Sequence, residues 1–276
     1  MVVDADKWPR MKTLRELESL QGRTAVITGG AGKIAEAFAE ALGERGASIC
    51  ILDVAEEAAR ERADQIAQRL AVPASAFGVD VSLEHSVQAC VSAVVAKCGA
   101  IDILVNNAAY PEVELPDEGV ELERQDLAHW KANLDVMLTG AFLMTRACAP
   151  HLRRSGRGSV TNIGSIYGLL GPDMRLYDGT EMGNPAYYAA AKGGIVQLTR
   201  YWATTLAPEV RVNCIAPGGV WRKQPDCFHE RYNSRTPLGR MATEEDLKGA
   251  IAYISSDLSA YVTGHVLVVD GGWTAW

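Results

Sequence analysis

Seven short runs of β-branched and aliphatic residues, alternating with helical runs, constrain this chain more than any other feature. They are Thr24–Thr28, Ser48–Asp53, Ala76–Asp80, Ile103–Asn107, Ser159–Ile163, Arg211–Ile215 and His265–Asp270. Between the first two, Ile34, Ala37, Phe38, Ala41 and Leu42 recur at helical spacing. A charged helix running to about residue 70 follows, then helices over 84–98 and 126–154. A further helix opens after Pro185 and carries Ile195, Leu198, Trp202 and Leu206 on one stripe. Strands of continuous apolar character joined by helices imply a parallel sheet covered on both faces. The expectation is one doubly wound α/β domain over 23–276, built on a seven-stranded parallel sheet. Residues 1–22 read as an N-terminal extension with a short helix over 11–20, either a subunit-packing arm or a frayed end.

Composition narrows the function. The 276 residues carry a formal charge of −7, which disfavours nucleic acid and anionic membranes as partners. No apolar run approaches the roughly 20 residues a membrane span needs. The first ten residues lack a basic-then-apolar leader, so a cytoplasmic protein is expected. Six cysteines stand without a Cys-x-x-Cys and read as buried, reduced thiols. The five histidines show no metal-ligand spacing, and no metal is assigned.

Two stretches carry chemistry. Thr28-Gly-Gly-Ala-Gly-Lys-Ile-Ala35 joins the first strand to the first helix. Glycines there let backbone approach a pyrophosphate resting on the helix N-terminus. The second strand ends in Asp53, 21 residues beyond Gly32, where a carboxylate meets the adenosine ribose hydroxyls. It would repel a 2′-phosphate, so NAD is expected over NADP, although Lys33 in the turn offers phosphate a cation. The other stretch holds Tyr188 and Lys192, one helical turn apart. A free phenol is a poor base at neutral pH, and a neighbouring cation stabilises its phenolate. The pair is a plausible acid–base unit for an alcohol proton.

In order along residues 23–274, the glycine turn, Asp80-Val81, Asn106-Asn-Ala-Ala109, Asn133, Ser165, Tyr188-x-x-x-Lys192, Pro217-Gly218 and Val269-Asp-Gly-Gly272 resemble the short-chain dehydrogenase/reductase family, with its Rossmann fold. The resemblance implies Tyr188 as general acid/base and Lys192 as the cation that lowers its pKa and holds the nicotinamide ribose. Ser165 would bond the substrate oxygen, and Asn133 would hold a water in a proton relay. Gly29, Gly32, Lys33, Ile34, Asp53, Asp80, Val81, Asn107, Ala108, Tyr188, Lys192, Pro217, Gly218 and Val220 would line the cofactor. A homotetramer is implied, with the 126–154 and Tyr188 helices as interface candidates.

Three departures qualify the resemblance. The glycine spacing Gly29-x-x-Gly32-x-x-Ala35 looks more like the family's extended branch of epimerases and dehydratases, yet the larger C-terminal domain of that branch is lacking. From Ser165 to Tyr188 the chain runs 23 residues, longer than usual, with an insert over 171–184 expected to border the substrate cleft. Asn-Asn-Ala-Ala replaces Asn-Asn-Ala-Gly, tolerable if the backbone keeps negative φ. A substrate lid is expected over 219–237, where Arg222, Lys223, Arg231 and Arg235 outnumber Asp226 and Glu230. That excess suggests a polar or anionic, carbohydrate-like small molecule, unless the charges are only a solvated face. The leading expectation is an NAD-dependent oxidoreductase interconverting a secondary alcohol and a ketone. The alternatives are a sugar epimerase or dehydratase holding NAD tightly, or a non-catalytic dinucleotide-sensing protein.

Overall fold

A computed structural model describes residues 10–110 and 121–276. The first nine residues of the extension lie outside the described residues; its helix, α1 (Leu14–Glu18), is shorter than expected and closed by a Thr13/Glu16 capping box. The chain then alternates through β1 (Thr24–Thr28), α2 (Lys33–Gly43), β2 (Ser48–Asp53), α3 (Glu56–Leu70), β3 (Ala74–Gly78), α4 (Glu84–Cys98) and β4 (Ile103–Asn106). After α5 (Leu127–Leu134) and α6 (Gly140–Ser155) come β5 (Gly158–Ile163), α7 (Ala186–Thr205), β6 (Val210–Pro217), α8 (Asp226–Arg235), α9 (Lys248–Ser255) and β7 (Val266–Val269). The seven strands pair in parallel in the order β3-β2-β1-β4-β5-β6-β7. Among the described residues no helix is long and apolar enough to cross a membrane.

The period-2 alternation of β1 and β4 builds both cores at once. Val26 and Leu104 face one side and pack with Val91 of α4, Met144 of α6 and Ile195 of α7. Ala25, Ile27, Ile103 and Val105 face the other, against Phe38 and Leu42 of α2 and Ile251 and Ile254 of α9. All nine strand residues of β1 and β4 are buried, as continuous apolar strands in a covered parallel sheet must be.

Two further differences have a visible local cause. β3 begins and ends two residues early, because Asp80 turns the chain instead of extending it. Its Oδ1 accepts from the Ser82 amide at 2.9 Å and the Ser82 hydroxyl at 2.6 Å. The single helix expected over 126–154 is broken by one wide turn, Asp135–Thr139, in which the Gly140 amide reaches back to the Asp135 carbonyl.

A buried polar chain ties the central strands to the helices behind them. Asn106 Nδ2 donates to Thr145 Oγ1 (2.9 Å) and to Asn162 Oδ1 (2.8 Å). Asn162 Nδ2 donates onward to Thr199 Oγ1 (2.8 Å), whose hydroxyl donates to the Ile195 carbonyl. This fixes α7 on β5. Asn162→Ala leaves two buried partners short of a bond and should lower the unfolding free energy by about 1–3 kcal/mol. Urea titration should show the lower midpoint at an unchanged m-value.

Candidate active site

The C-terminal ends of β1 and β4 are where successive connections run to opposite sides of the sheet, so a crevice opens between them. Its floor is held by Thr28, whose Oγ1 accepts from the Asn107 amide (3.0 Å) and the Ala108 amide (3.1 Å). Asn107 Nδ2 returns bonds to the Thr28 and Gly29 carbonyls, each at 3.1 Å. The glycine turn lies so close to this wall that a Cβ on Gly29 would meet Ala108 Cα at 2.8 Å, and Gly29 holds φ +59°. Ala109 keeps negative φ: Ala71 is the one non-glycine with positive φ among the described residues.

Helix α2 starts at this turn with Gly32 as its N-cap and no side chain bonded to its first amides. Free N–H groups and the positive end of the helix face the crevice, a favourable place for a phosphate. Lys33, the first residue of α2, and Gly32 are exposed, and Ile34 packs partly against the core. Asp53 ends β2 at the rim, with one oxygen accepting from the Ala31 amide and the other from the Ala55 amide, both at 3.0 Å. Asp80 is partly buried, and Val81 packs so tightly on the start of α6 that a Cβ on Gly140 would meet it at 2.8 Å. On the far side Pro217 ends β6, Gly218 donates to the Val269 carbonyl (2.9 Å), and Val220 bridges to Ala242. Glycines without Cβ, uncapped amides, and a carboxylate one strand away fit the two halves of a dinucleotide.

Ser165 follows β5 in extended backbone, nearly buried, and its Oγ accepts from the Tyr167 amide at 3.2 Å. The short turn Ile166–Gly168 lies directly on α7: a Cβ at Gly168 would sit 2.6 Å from the Lys192 carbonyl oxygen. Only glycine permits that approach, and it brings the Ser165 loop to the helix carrying Tyr188 and Lys192. Lys192 is 6% exposed, and its Nζ donates to the Ile163 carbonyl at 2.8 Å, two residues before Ser165 in the chain. The same Nζ lies 5.7 Å from the centre of the Tyr188 ring. Burial lowers the ammonium to about 8, still mostly protonated at neutral pH.

Asn133 sits in α5, 1% exposed, with Nδ2 donating to the His129 carbonyl and Oδ1 buried without a partner among the described residues. α5 and the wide turn after it reach α7 through Met137, Tyr187 and Ala191, with Trp130, Leu134 and Tyr188 packed around them. Beside Lys192, a cavity of ≈ 10 Å³, about the room one water needs, is lined by Thr28, Asn106, Val136, Met137 and Gly140 among others. The wide turn supplies two of those walls, Val136 and Met137, and Gly140 at the start of α6 a third.

The insert over 171–184 also differs from a simple cleft border. Arg235 pairs with Asp173, Arg231 donates to the Leu176 carbonyl (3.2 Å) and to that of Asp178, and Arg222 pairs with Glu244 at 2.8 Å. Three of the four lid cations thus bind the protein, so the charge excess in the sequence is not a free basic surface. Phe228 and Tyr232 of α8 are buried with Leu176, Tyr177, Met241 and Trp273. Tyr167, two residues after Ser165, was not singled out from the sequence; its hydroxyl lies 3.2 Å from that of Tyr177 in the insert. Burial holds the Tyr167 phenol far above its ordinary range, so it stays neutral. A groove of about 490 Å³ runs along the insert past Pro172, Met174 and Met182 to the first turn of α7.

Residues 29–274 match the family described as enoyl-(acyl carrier protein) reductase. Over 266 residues the chain is 36% identical to cis-4-hydroxycyclohexanecarboxylate dehydrogenase of Sinomonas cyclohexanicum, covering 94% of this chain and 99% of that one. It is 32% identical to a probable galactose dehydrogenase of Rhizobium meliloti, with 93% and 97% covered. A crystal structure of a gluconate 5-dehydrogenase from Burkholderia cenocepacia, in complex with NADP and tartrate, superposes with a TM-score of 0.86 at 31% identity, covering 96% of this chain and all of that one.

Because Lys192 is buried with a lowered pKa, folding costs least when it is neutral. The unfolded chain binds the extra proton between about pH 8 and the ordinary value of 10.5, so stability rises with pH across that window. The wild type should gain up to about 3 kcal/mol relative to Lys192→Met between those limits. Parallel urea titrations of both proteins across that range should show it, and a pH-independent difference would refute the burial cost.

Proposed function

The chain belongs to the short-chain dehydrogenase/reductase family, oxidoreductases of CH–OH groups that use a nicotinamide dinucleotide, and on that premise we propose that it interconverts a secondary alcohol and a ketone on a polar, carbohydrate-like molecule with NAD. The observation that carries this reading is the buried Lys192 cation, held by the Ile163 carbonyl beside Ser165 and facing the Tyr188 ring. A buried cation held against a phenol favours moving a proton to or from an oxygen.

In this reading the dinucleotide lies across the crevice. The amides of α2 and Gly29, Gly32 and Lys33 take its pyrophosphate, Asp53 its adenosine ribose, and Asp80 and Val81 flank its adenine. Asn107, Ala108, Pro217, Gly218 and Val220 line the nicotinamide half. A nicotinamide held there would supply the hydride chemistry at the substrate carbon. The Ser165 hydroxyl turns from the Tyr167 amide to donate to the substrate oxygen, where negative charge develops. The Tyr188 hydroxyl gives its proton to that oxygen during reduction and takes it back during oxidation. The Lys192 ammonium stabilises the phenolate and can bond the nicotinamide ribose. A water in the cavity beside Lys192 links it towards the α5 region, where Asn133 offers a buried acceptor.

The Asp53 carboxylate favours NAD, and the exposed Lys33 stands as the counterweight. With the lid cations engaged internally, the substrate class rests on the relatives' substrates and on the Tyr167 and Tyr177 hydroxyls near the catalytic side chains. Exposed Phe142 of α6 (41%) and Tyr201 of α7 (59%) support these helices as contacts in a homotetramer. Sedimentation at micromolar concentration should give about four chain masses; one chain mass would refute it.

Purified protein should reduce NAD faster than NADP with one class among sugars, sugar acids, polyols and cyclic secondary alcohols, followed by nicotinamide absorbance. Tyr188→Phe should cost at least about 100-fold in kcat while NAD affinity stays within a few-fold. Retained turnover in that variant would overturn the mechanism.

A further inference from the structure

Away from the crevice, two cysteines on different elements are brought into contact. Cys50 lies in the middle of β2, fully buried, in register with Val26 and Ser75. Cys98 is the last residue of α4 and partly exposed. Their sulfurs are 3.4 Å apart, the thiols sharing a hydrogen bond. Neighbouring Lys97 lies over the Phe77 ring, its Nζ 5.8 Å from the ring centre. The two partners are unlike: burial and the shared bond push Cys50 up, whereas the bond from Cys50 and the Lys97 charge pull Cys98 down. Cys98 is therefore the thiol that reacts first.

We propose that Cys50 and Cys98 form a reversible intramolecular disulfide that locks α4 to β2 under oxidising conditions. The sulfurs are already in contact at 3.4 Å and need to close to about 2 Å to form the bond. The oxidant is a small-molecule disulfide. The Cys98 thiolate attacks one of its sulfurs; that S–S bond breaks and one thiolate leaves. Cys50 then attacks the Cys98 sulfur, the Cys50 proton passing to the departing group, and the second small thiol is released. The protein loses two hydrogens and two electrons, and the oxidant becomes two thiols. Cys98 is the entry point because it is reachable from solvent, and Cys50 the resolving thiol because it is already in contact. Both lie away from the strand ends that form the crevice, so the bond is a lock on the fold rather than a block on the site.

Oxidised glutathione should convert the protein to a form lighter by two hydrogens. Proteolysis without reductant should yield a peptide pair joining Cys50 to Cys98, released by dithiothreitol. The oxidised form should melt about 5–10 °C higher. Cys98→Ser, at a partly exposed helix end, should fold, give no linked peptide and lose the melting shift. Cys90→Ser should keep both, which separates this pair from the third cysteine nearby. A stable glutathione adduct on Cys98 without closure, a bond to Cys90, or no reaction on the folded protein would overturn the proposal.

Discussion

A single buried charge sets the terms for the functional half of this molecule. Lys192 is almost wholly withdrawn from water, and an ammonium there must find an acceptor or give up its proton. The acceptor is the Ile163 carbonyl, at the end of a central strand. Satisfying it fixes α7 against β5 at one register, and that register decides where Tyr188 stands. The cost of burying the charge shows in its lowered pKa. What is gained is a cation held close to a phenol, where the low local dielectric strengthens its effect.

The supports around that charge are made of absence as much as presence. Gly168 lets the Ser165 turn rest on the backbone of α7, and Gly29 lets the phosphate-facing turn rest on Ala108. Neither contact survives a Cβ. Between them, Asn106, Thr145, Asn162 and Thr199 pass hydrogen bonds across two strands and two helices. Such a buried network specifies one arrangement, because any slip leaves a polar atom without a partner. The Thr28 hydroxyl does the same work at the crevice, clamping the ends of β1 and β4.

The insert shows how a charge pattern is reassigned by folding. Arg222, Arg231 and Arg235 read as an unpaired basic lid because Glu244 and the carbonyls and carboxylate of the insert are distant in sequence. In space Arg231 and Arg235 hold α8 onto the insert while Arg222 pairs with Glu244, and Tyr177, Phe228, Tyr232 and Trp273 seal the contact with stacked and tilted rings. Helix α8 and the insert are packed together, with Leu176 and Tyr177 of the insert inside the shared cluster. The wide turn at Asp135–Thr139 was equally invisible, since its residues carry an ordinary helical pattern and only packing against α7 and Val81 selects the looser winding.

The sequence alone determined what depends on local pattern. Continuous apolar runs dictated parallel strands, so β1 and β2 were legible to their end residues. The Gly29–Gly32 turn, Asp53, Tyr188 and Lys192 were legible because spacing along a turn, a strand or a helix is enough to place them on their elements, whereas Ser165 entered only through the family resemblance. Tertiary structure alone decided the meetings between elements: the Lys192 ammonium on the Ile163 carbonyl, the Gly168 turn on α7, the Cys50 and Cys98 contact, and the lid cations turned inward. Those rest on contacts between residues tens of positions apart, and neither propensity nor periodicity carries distance across the chain.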